Sequence, residues 1–409
     1  MRIYFITTKL NFRTAGGSIE EYDLIIRTWQ KLGNEVIAVT TFPEGNNIPE
    51  QLPYEVITDS IKSRGLLGLQ IGIYKLFKKY EKQADFFHID GHIFMYGAGL
   101  YRRLGGKVPV EAFINRELIC WPENESALFP KKKTGVLKKL KKKIRWLIER
   151  YIGMFLANGV DIFTTVSPTF RAEYEKFGLK KGALVIGDPL DYKRIMHNAA
   201  IDQEHYIKRN KQTGPLTIFY SSRMAPAKGF DMLLTGLSYV RNKDKFRIVL
   251  GGTGPEEPYV KDMIRELKLE KYVELVGWTP KDKLYELYKQ ADIFIQADWM
   301  FFGTSMSLLY AMAFGVPSIL PGGGGLEWNA QDSAIYFRYR DPIDLAVKIE
   351  ILGADRELRA RLSRNCYKRI FSDEMDYEKQ ITRVHQAMQD LLVGRTKDKS
   401  FDATRMRHS

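Results

Sequence analysis

The chain has 409 residues, of which 44% are hydrophobic and 27% are charged, and its formal net charge is +14. This composition excludes a wholly disordered chain, and the length exceeds the roughly 250–300 residues at which a single hydrophobic core stops growing, so two domains are expected. Two cysteines cannot hold a protein of this size together through disulfides, and free thiols are typical of a reducing compartment, so a cytoplasmic location is expected.

Short apolar segments alternate along the chain with segments of helical periodicity. A first block predicts strands at 1–8, 35–41, 86–89 and 108–114, and helices at 19–32, 69–82 and 95–104. A second block predicts strands at 216–220, 246–251, 273–276, 293–296 and 318–320, and helices at 231–240, 258–267, 281–290 and 305–314. Strands that alternate with helices form parallel sheets covered on both faces, so each block predicts a doubly wound α/β domain.

The polar segment 197–214 ends in Gly-Pro and marks the expected break between the two blocks. We predict an N-terminal Rossmann-like domain over 1–190 and a C-terminal one over 191–372, with a helix at about 373–393 that returns to the first domain. The polar tail 394–409 is predicted to be disordered. The first strand is too short for the apolar core of a leader, and no run of about 18 apolar residues predicts a membrane span.

Glycines and cations follow several predicted strands, at the sheet edge where ligands bind. Gly16 and Gly17 precede the first helix, where close backbone approach favours an anion, although an ordinary turn would have the same sequence. Ser222, Arg223 and Lys228 share one loop, and its two cations suit a phosphate, although two solvated side chains would also fit.

Further glycine-rich loops follow later strands of the second block. Each of them is an ordinary turn when taken singly, but together they place backbone groups at several adjacent strand ends. The free amides at the start of the helix 305–314 could hold a diphosphate. The residues of these loops that we single out are Gly252, Gly254, Trp278, Gly303, Thr304, Ser305, Met306 and Glu327.

The second block resembles the retaining GT-B glycosyltransferases of the large fourth family (glycosyl transferases group 1), which includes bacterial mannosyl- and glucosyltransferases. Segments 220–229, 252–255, 288–294 and 311–317 match that family in order and spacing. Weaker likeness in the first block rests on Gly16 and Gly17 and on segments 32–40, 84–92 and 160–178. The resemblance implies a GT-B fold, with two facing doubly wound domains and a cleft between them.

The resemblance also implies residue roles. Arg223 and Lys228 would stabilise the leaving diphosphate as catalytic groups, so no metal ion or other cofactor is expected. The amides of 304–306 would contact donor sugar and phosphate, and Trp278 would contact the base of a UDP- or GDP-linked donor. The complete set of donor-binding candidates is Gly16, Gly17, Ser222, Gly252, Gly254, Trp278, Phe302, Gly303, Thr304, Ser305, Met306, Tyr310 and Glu327.

The sequence departs from the family at three positions. Where relatives carry two glutamates, one for the donor sugar and one for the ribose, this chain has Phe302 and Tyr310. Related glycogen synthases also have the tyrosine, whereas phenylalanine cannot hydrogen-bond a hydroxyl, so Asp298 would replace the glutamate if the loop contains an insertion. Asn115 stands where relatives often carry a histidine facing the reacting sugar.

Polar residues that end the third predicted strand of the first block are acceptor-side candidates. His88 joins Asn115 as a catalytic candidate, and Asp90 and His92 are expected to face the acceptor. A histidine in such a position is more often a structural core residue than a catalytic one, and that alternative stays open.

The basic segment 131–150, from Lys131 to Arg150, contains ten lysines and arginines and one acid, Glu149. Its apolar residues recur at helical spacing, at Leu137, Leu140, Ile144, Leu147, Ile148, Tyr151 and Phe155. Such a helix suits an anionic membrane surface, to which each basic residue contributes roughly 1 kcal/mol. The alternative is a domain helix with a buried apolar face and solvated charges. Nucleic acid is not expected as a partner, because no zinc-ligand spacing or nucleic-acid-binding motif is present.

The sequence thus predicts a metal-independent, hexosyltransferase-like enzyme of polysaccharide or glycolipid biosynthesis, peripheral on the inner face of a membrane. It would transfer a sugar from its nucleotide donor to a glycan or lipid-linked acceptor with retained configuration. The replacements at Phe302 and Asn115 leave open a non-catalytic homologue that binds nucleotide or glycan or scaffolds a partner enzyme. Net charge alone suggests a third possibility, a sugar transferase acting on nucleic acid.

Overall fold

The computed structural model describes residues 1–12, 17–62, 65–116, 118, 136–209, 214–299 and 303–405. The N-terminal sheet is parallel throughout, with strand order β3-β2-β1-β4-β5-β6-β7. Its strands are β1 (Arg2–Thr7), β2 (Glu35–Thr40), β3 (Glu55–Thr58), β4 (Phe86–Asp90), β5 (Val110–Ile114), β6 (Ile162–Thr165) and β7 (Ala183–Val185). The helices between them are α1 (Gly17–Lys31), α2 (Gly65–Tyr80), α3 (His92–Arg103), α4 (Val136–Ile148), α5 (Met154–Ala157) and α6 (Pro168–Phe177).

The C-terminal sheet is also parallel, with strand order β10-β9-β8-β11-β12-β13. Its strands are β8 (Leu216–Ser221), β9 (Phe246–Gly251), β10 (Val273–Gly277), β11 (Ile293–Ile295), β12 (Ser318–Pro321) and β13 (Ala334–Phe337). Its helices are α7 (Tyr192–Asn198), α8 (Gln203–Lys208), α9 (Phe230–Tyr239), α10 (Glu257–Glu266), α11 (Lys281–Gln290), α12 (Met306–Ala313), α13 (Gly325–Ala330), α14 (Pro342–Ala354) and α15 (Arg356–Ile370), followed by α16 (Tyr377–Arg405).

Both predicted doubly wound sheets are confirmed, and the apolar strands of each lie in a separate hydrophobic core. The pattern missed four strands, β3, β6, β7 and β13, which have only three or four residues each. Length alone does not explain the omission, since β11 and β12 are as short and were predicted. The segment 197–214, expected to be a polar break, contains α8, whose Tyr206 is buried in the C-terminal core.

The last helix, α16, crosses from the C-terminal domain and packs on the N-terminal one. Ile381, Val384 and Met388 lie in the N-terminal core beside the apolar side chains of α1 and the central strands. At its edge, His385 Nε2 lies 2.9 Å from the side-chain nitrogen of Asn34. The two sheets are therefore held together by a segment that follows both of them in the chain.

Helix α16 extends to Arg405, so it includes residues 394–405 of the tail that sequence analysis expected to be disordered. Once the packed turns of a helix have formed, each added residue contributes a hydrogen bond without a new nucleation cost, so a polar segment can continue it. Residues 406–409 lie outside the described part of the chain.

The amphipathic helix α4 continues through a π-helical turn, Glu149–Gly153, into α5. Most of the apolar residues of α4 are exposed, whereas Trp146 packs against the N-terminal core. Leu137 is 75% exposed and Phe155 is 60% exposed, and Leu140, Ile144, Leu147, Ile148 and Tyr151 are exposed as well. Among the described helices, none combines the length and apolar character that a membrane span requires.

We predict that Met388→Ala destabilises the protein by about 2–5 kcal/mol, because the substitution removes a fully buried side chain from the N-terminal core. Chemical denaturation followed by circular dichroism measures the change. The matched control is the neighbouring Gln389→Ala, which lies on the exposed face of the same helix and should alter stability by less than about 0.5 kcal/mol. Equal stability of the two variants would contradict the packing described for α16.

Candidate functional site

The candidate site lies where the carboxyl ends of the two sheets face each other. Helix α1 begins after β1 and helix α11 begins after β10, and the two helix starts are joined by an ion pair of 2.9 Å between Glu20 and Lys281. Loops at the carboxyl ends of parallel strands are where α/β proteins bind ligands, and a cleft between domains encloses such ligands from two sides.

Arg223 and Lys228 both lie on the loop that follows β8, as the sequence predicted. Arg223 is exposed, whereas Lys228 is half-buried and its Nζ lies 3.1 Å from Asp298 Oδ2. The other oxygen of Asp298 is 2.8 Å from the hydroxyl of Tyr220. Asp298 thus positions the lysine, and its role in place of the donor-sugar glutamate stays a prediction.

The glycine loop after β9 packs directly against this cationic loop. Gly252 has a φ of +104°, and a Cβ there would lie 1.9 Å from the carbonyl oxygen of Ser222. A Cβ on Gly254 would lie 2.3 Å from the carbonyl oxygen of Met224. The two glycines are required because the two loops approach backbone to backbone.

The start of helix α12 joins the same edge of the sheet. Ser307 Oγ donates a 2.7 Å hydrogen bond to the carbonyl of Ser221, and the amide of Trp299 donates a 3.0 Å bond to the carbonyl of Ala227. Gly303, Thr304, Ser305 and Met306 lead into this helix. The cationic loop and the predicted diphosphate-binding amides are therefore neighbours.

Tyr310 is engaged by the other domain. Its hydroxyl donates a 2.6 Å hydrogen bond to Oε2 of Glu20, while Arg194 and Lys281 approach Oε1 at 3.1 and 2.9 Å. Burial alone would raise the pKa of Glu20, but the charge of Lys281 and the Tyr310 hydroxyl outweigh burial and lower it. One carboxylate of the N-terminal domain thus binds three groups of the helices opposite. We call Glu20, Arg194, Lys281 and Tyr310 the interdomain cluster.

The remaining candidates for donor binding make fewer contacts with the rest of the protein. Trp278 is 62% exposed and follows β10, so its ring is available to a ligand at the cleft. Glu327, on α13, accepts a hydrogen bond from the amide of Gly323. Gly17 begins α1. The predictions for Gly16 and Phe302 fall outside the described residues.

His88 is not brought to the cleft. Its imidazole is buried in the core, where it stacks on Phe5 with ring centroids 4.2 Å apart. Its Nδ1 hydrogen-bonds the carboxylate of Glu111, which in turn accepts from Thr164. These three side chains form a polar row across β4, β5 and β6, and His88 lies two residues before the strand end that Asp90 occupies.

Asp90, Asn115 and His92 do lie together at the cleft edge of the first sheet. Asp90 is buried, accepts from Thr7 Oγ1 at 3.0 Å, and lies 3.5 Å from the amide of Asn115. His92 is the first residue of α3, and burial, with help from Arg116, lowers its pKa to about 4. His92 is therefore neutral near pH 7 and can exchange hydrogen bonds without carrying a charge.

The structure adds two acids that sequence analysis missed, Glu21 and Asp188. Glu21 is only 4% exposed and lies beside Asn115, and Asp188 follows β7 and lies beside Thr304 and Asn329. Burial raises the pKa of the Glu21 carboxyl well above its ordinary range and that of Asp188 to about 6. A signal for Glu21 exists in the sequence, since it stands four residues before the buried Ile25 on the inner face of α1.

Residues 202–369 match the model of the family described as glycosyl transferases group 1. An uncharacterised glycosyltransferase of Methanocaldococcus jannaschii is 25% identical over 157 residues, which are 38% of this chain and 40% of that protein. A GDP-mannose-dependent α-(1-6)-phosphatidylinositol monomannoside mannosyltransferase of Mycobacterium tuberculosis is 27% identical over 184 residues, 43% of this chain and 48% of that protein. The match thus spans less than half the length of these relatives.

Solved structures resemble the whole chain. Sucrose-phosphate synthase of Thermosynechococcus elongatus superposes with a TM-score of 0.72 and 16% identity, covering 96% of this chain and 99% of that one. The HepE protein of Anabaena, solved with UDP and glucose, has a TM-score of 0.71 and 16% identity over 95% of this chain and all of its own. These likenesses confirm the predicted GT-B fold.

We predict that Glu20→Gln destabilises the protein by about 1–3 kcal/mol at pH 7, because it removes the charge that Arg194 and Lys281 bind. The lowered pKa of Glu20 gives a stabilisation that is present above the unfolded-state value of about 4.3 and is lost as the pH falls through the folded-state value. The stability difference between wild type and variant should therefore shrink towards pH 3, as measured by urea denaturation across this pH range.

The matched control is Glu35→Gln, which breaks an exposed 3.0 Å ion pair with Arg2 and should cost less than about 1 kcal/mol. An effect of Glu20→Gln as small as that of the control, or one that does not depend on pH, would contradict the role of the interdomain cluster.

Proposed function

We propose that this chain, a member of the glycosyl transferases group 1 family, transfers a sugar from a nucleoside diphosphate to an acceptor hydroxyl with retention of configuration. The acceptor is a glycan or a lipid-linked molecule presented at a membrane surface. The donor occupies the cleft, with its nucleotide on the C-terminal domain.

The observation that carries this proposal is the junction of the cationic loop with the start of α12. The contacts of Ser307 with Ser221 and of Trp299 with Ala227 hold the loop of Arg223 and Lys228 next to the first turn of α12. A diphosphate placed there meets an arginine fork, an ammonium group and a helix N-terminus.

This arrangement suits departure of the nucleotide. As the bond between the anomeric carbon and the diphosphate oxygen breaks, negative charge accumulates on that oxygen. Cations and amides that are already in place stabilise this charge without reorganising, and in many enzymes such stabilisation lowers the barrier more than any other effect. Asp298 contributes by holding the Lys228 ammonium in position.

Two of the similar proteins support the donor class, since one was solved with UDP and another is named for its dependence on GDP-mannose. Retention of configuration rests on the family resemblance, and nuclear magnetic resonance of the freshly formed glycoside tests it. Consumption of any nucleotide sugar separates this proposal from that of a non-catalytic homologue.

We predict that Arg223→Ala lowers kcat/KM by on the order of 100-fold or more without lowering the melting temperature, because Arg223 is exposed and its loss removes one charge-assisted donor. The measurement uses a panel of UDP- and GDP-linked sugars with a thermal-shift assay in parallel. Wild-type turnover in the folded variant would overturn the phosphate assignment.

Lys228 needs a different design, since Lys228→Ala would leave the buried carboxylate of Asp298 without its lysine and destabilise the protein. The double variant Lys228→Met with Asp298→Asn removes both charges together. We expect it to fold and to lose turnover as severely as Arg223→Ala does.

The exposed surface of α4 and α5 supports the membrane location. A core helix would bury its apolar residues, yet Leu137, Ile144 and Phe155 are exposed, and lysines such as Lys141 and Lys143 lie among them. Contiguous apolar surface of this kind is rare on monomeric proteins and marks an interaction site. Interspersed basic and apolar residues suit an anionic bilayer, where the apolar side chains enter the interface and the lysines meet the headgroups.

We predict that the protein binds vesicles containing phosphatidylglycerol at low salt and that binding weakens as salt rises, because the attraction is screened within about 8 Å at physiological ionic strength. Changing Lys138, Lys139, Lys141, Lys142 and Lys143 to glutamine should weaken binding by roughly several thousand-fold, at about 1 kcal/mol per lysine. Vesicle co-sedimentation measures both effects.

The matched control removes the same charge from exposed lysines of the C-terminal domain, namely Lys245, Lys261, Lys268, Lys271 and Lys283. It should bind vesicles as the wild type does. Nucleotide affinity should be unchanged in the α4 variant, because the donor loops belong to the other domain, and in the control, because its five lysines are exposed and lie outside those loops. Equal loss in the two variants would show a general charge effect and contradict a membrane surface on α4.

A further inference from the structure

Side chains with buried but unpaired polar atoms meet at the centre of the cleft. They come from separate elements: Glu21 from α1, Asn115 from the loop after β5, Asp188 from the segment between β7 and α7, and Asn329 from α13. Within the part of the chain that the structure describes, no hydrogen-bond partner reaches Glu21 Oε2, Asn115 Oδ1, Asp188 Oδ2 or either side-chain polar atom of Asn329.

These residues are neighbours. Asp188 lies near Glu21. The side chain of Asn115 approaches Glu21, and those of Thr304 and Asn329 approach Asp188, closely enough to favour the ionised carboxylates, although among the described residues no contact to the unpaired atoms has the geometry of a hydrogen bond. Asn329 is completely buried, and Glu21 is 4% exposed. Each buried polar group that is left unpaired lowers the stability of the protein by about 1–3 kcal/mol. Several such groups in one place therefore indicate a site that a ligand completes.

The unpaired atoms define the chemistry of that ligand. Most are carboxylate or amide oxygens that accept hydrogen bonds, and the Asn329 nitrogen donates one. The charges near Glu21 are mainly negative, from Asp90 and Asp188, with Arg116 in partial compensation. A phosphate would be repelled here, whereas a neutral molecule with several hydroxyl groups matches both the acceptors and the donor.

The geometry points to Glu21 and Asp188 as the residues that hydrogen-bond the transferred sugar. They favour a sugar that has free hydroxyl groups on adjacent carbons. This inference rests on the proposed function, because it places the sugar of the nucleotide donor beside Thr304 while the diphosphate lies on the cationic loop. The carboxylates that recognise the sugar thus come from the N-terminal domain and from the segment that joins the domains.

The raised pKa of Glu21 gives the pair a hydrogen-bond donor as well as acceptors. Burial raises the pKa of both carboxyls, and each negative charge disfavours the other, so the pair retains a proton to higher pH than an isolated acid would. A protonated carboxyl donates to a sugar oxygen while its ionised neighbour accepts from the adjacent hydroxyl. Vicinal hydroxyl groups of a pyranose present that combination.

The experiment compares the affinities of free and sugar-linked nucleotides. Isothermal titration with UDP, GDP, UDP-glucose and GDP-mannose is applied to the wild type, to Glu21→Gln and to Asp188→Asn. We expect both variants to bind the free diphosphate as the wild type does and to lose about tenfold or more of the affinity for the sugar nucleotide. The exposed Glu35→Gln on β2 serves as the charge-matched control and should leave all affinities unchanged.

Stability supplies a second measurement. An acid whose pKa is raised by folding binds more protons when folded, so stability falls as the pH rises from the unfolded value towards the folded one, about 6 for Asp188. At pH 7.5 that loss is complete, so removing the charge should raise the melting temperature of Asp188→Asn above that of wild type. A variant that is more stable yet binds the sugar nucleotide less well shows a ligand-binding role rather than a structural one.

The outcomes separate the two proposals. If the wild type binds a sugar nucleotide and both variants keep its preference over the free diphosphate, the sugar assignment is wrong and the proposed function stands. Equal weakening of both ligands in the variants also overturns the assignment, since it would place these acids near the nucleotide. If the wild type binds none of the four probes, both proposals are overturned.

Discussion

The packing of α16 against the N-terminal core is the interaction on which the rest of the structure depends. Each sheet has its own core, so each domain could take many orientations relative to the other. The burial of Ile381, Val384 and Met388 in a core built by residues 1–190 limits that freedom. It places the carboxyl ends of the two sheets opposite each other, and the cleft exists because of this arrangement.

The cleft separates two electrostatic regions. Arg223 and Lys228 lie on the C-terminal domain, where an anionic group can be neutralised, whereas Glu21 and Asp188 lie where the domains meet. Burial strengthens the electrostatic interactions of Glu21 and Asp188, because charges interact more strongly away from bulk water. The interdomain cluster around Glu20 contributes a third element, an ion-pair network whose partners belong to different domains.

The sequence predicted best those features whose residues are contiguous in the chain. The two doubly wound sheets were predictable because buried parallel strands are apolar throughout and are long enough to recognise, as in 246–251. The cationic loop was predictable because its residues are contiguous and follow a strand. Gly252 and Gly254 were predictable as close-approach positions, although only the structure shows that the loop of Ser222 is what they approach.

Other features depend on residues that are distant in the chain. His88 and Asp90 look equivalent in the sequence, but one is directed into the core towards Glu111 and the other ends the strand at the cleft. Tyr310 meets Glu20 across 290 positions, and no local pattern predicts that contact. Local sequence was therefore sufficient for the elements, the loops and their charges. Which side chains share a site was decided by tertiary packing, because hydrogen bonds and pKa shifts depend on distance and burial, and neither is encoded by a residue's immediate neighbours.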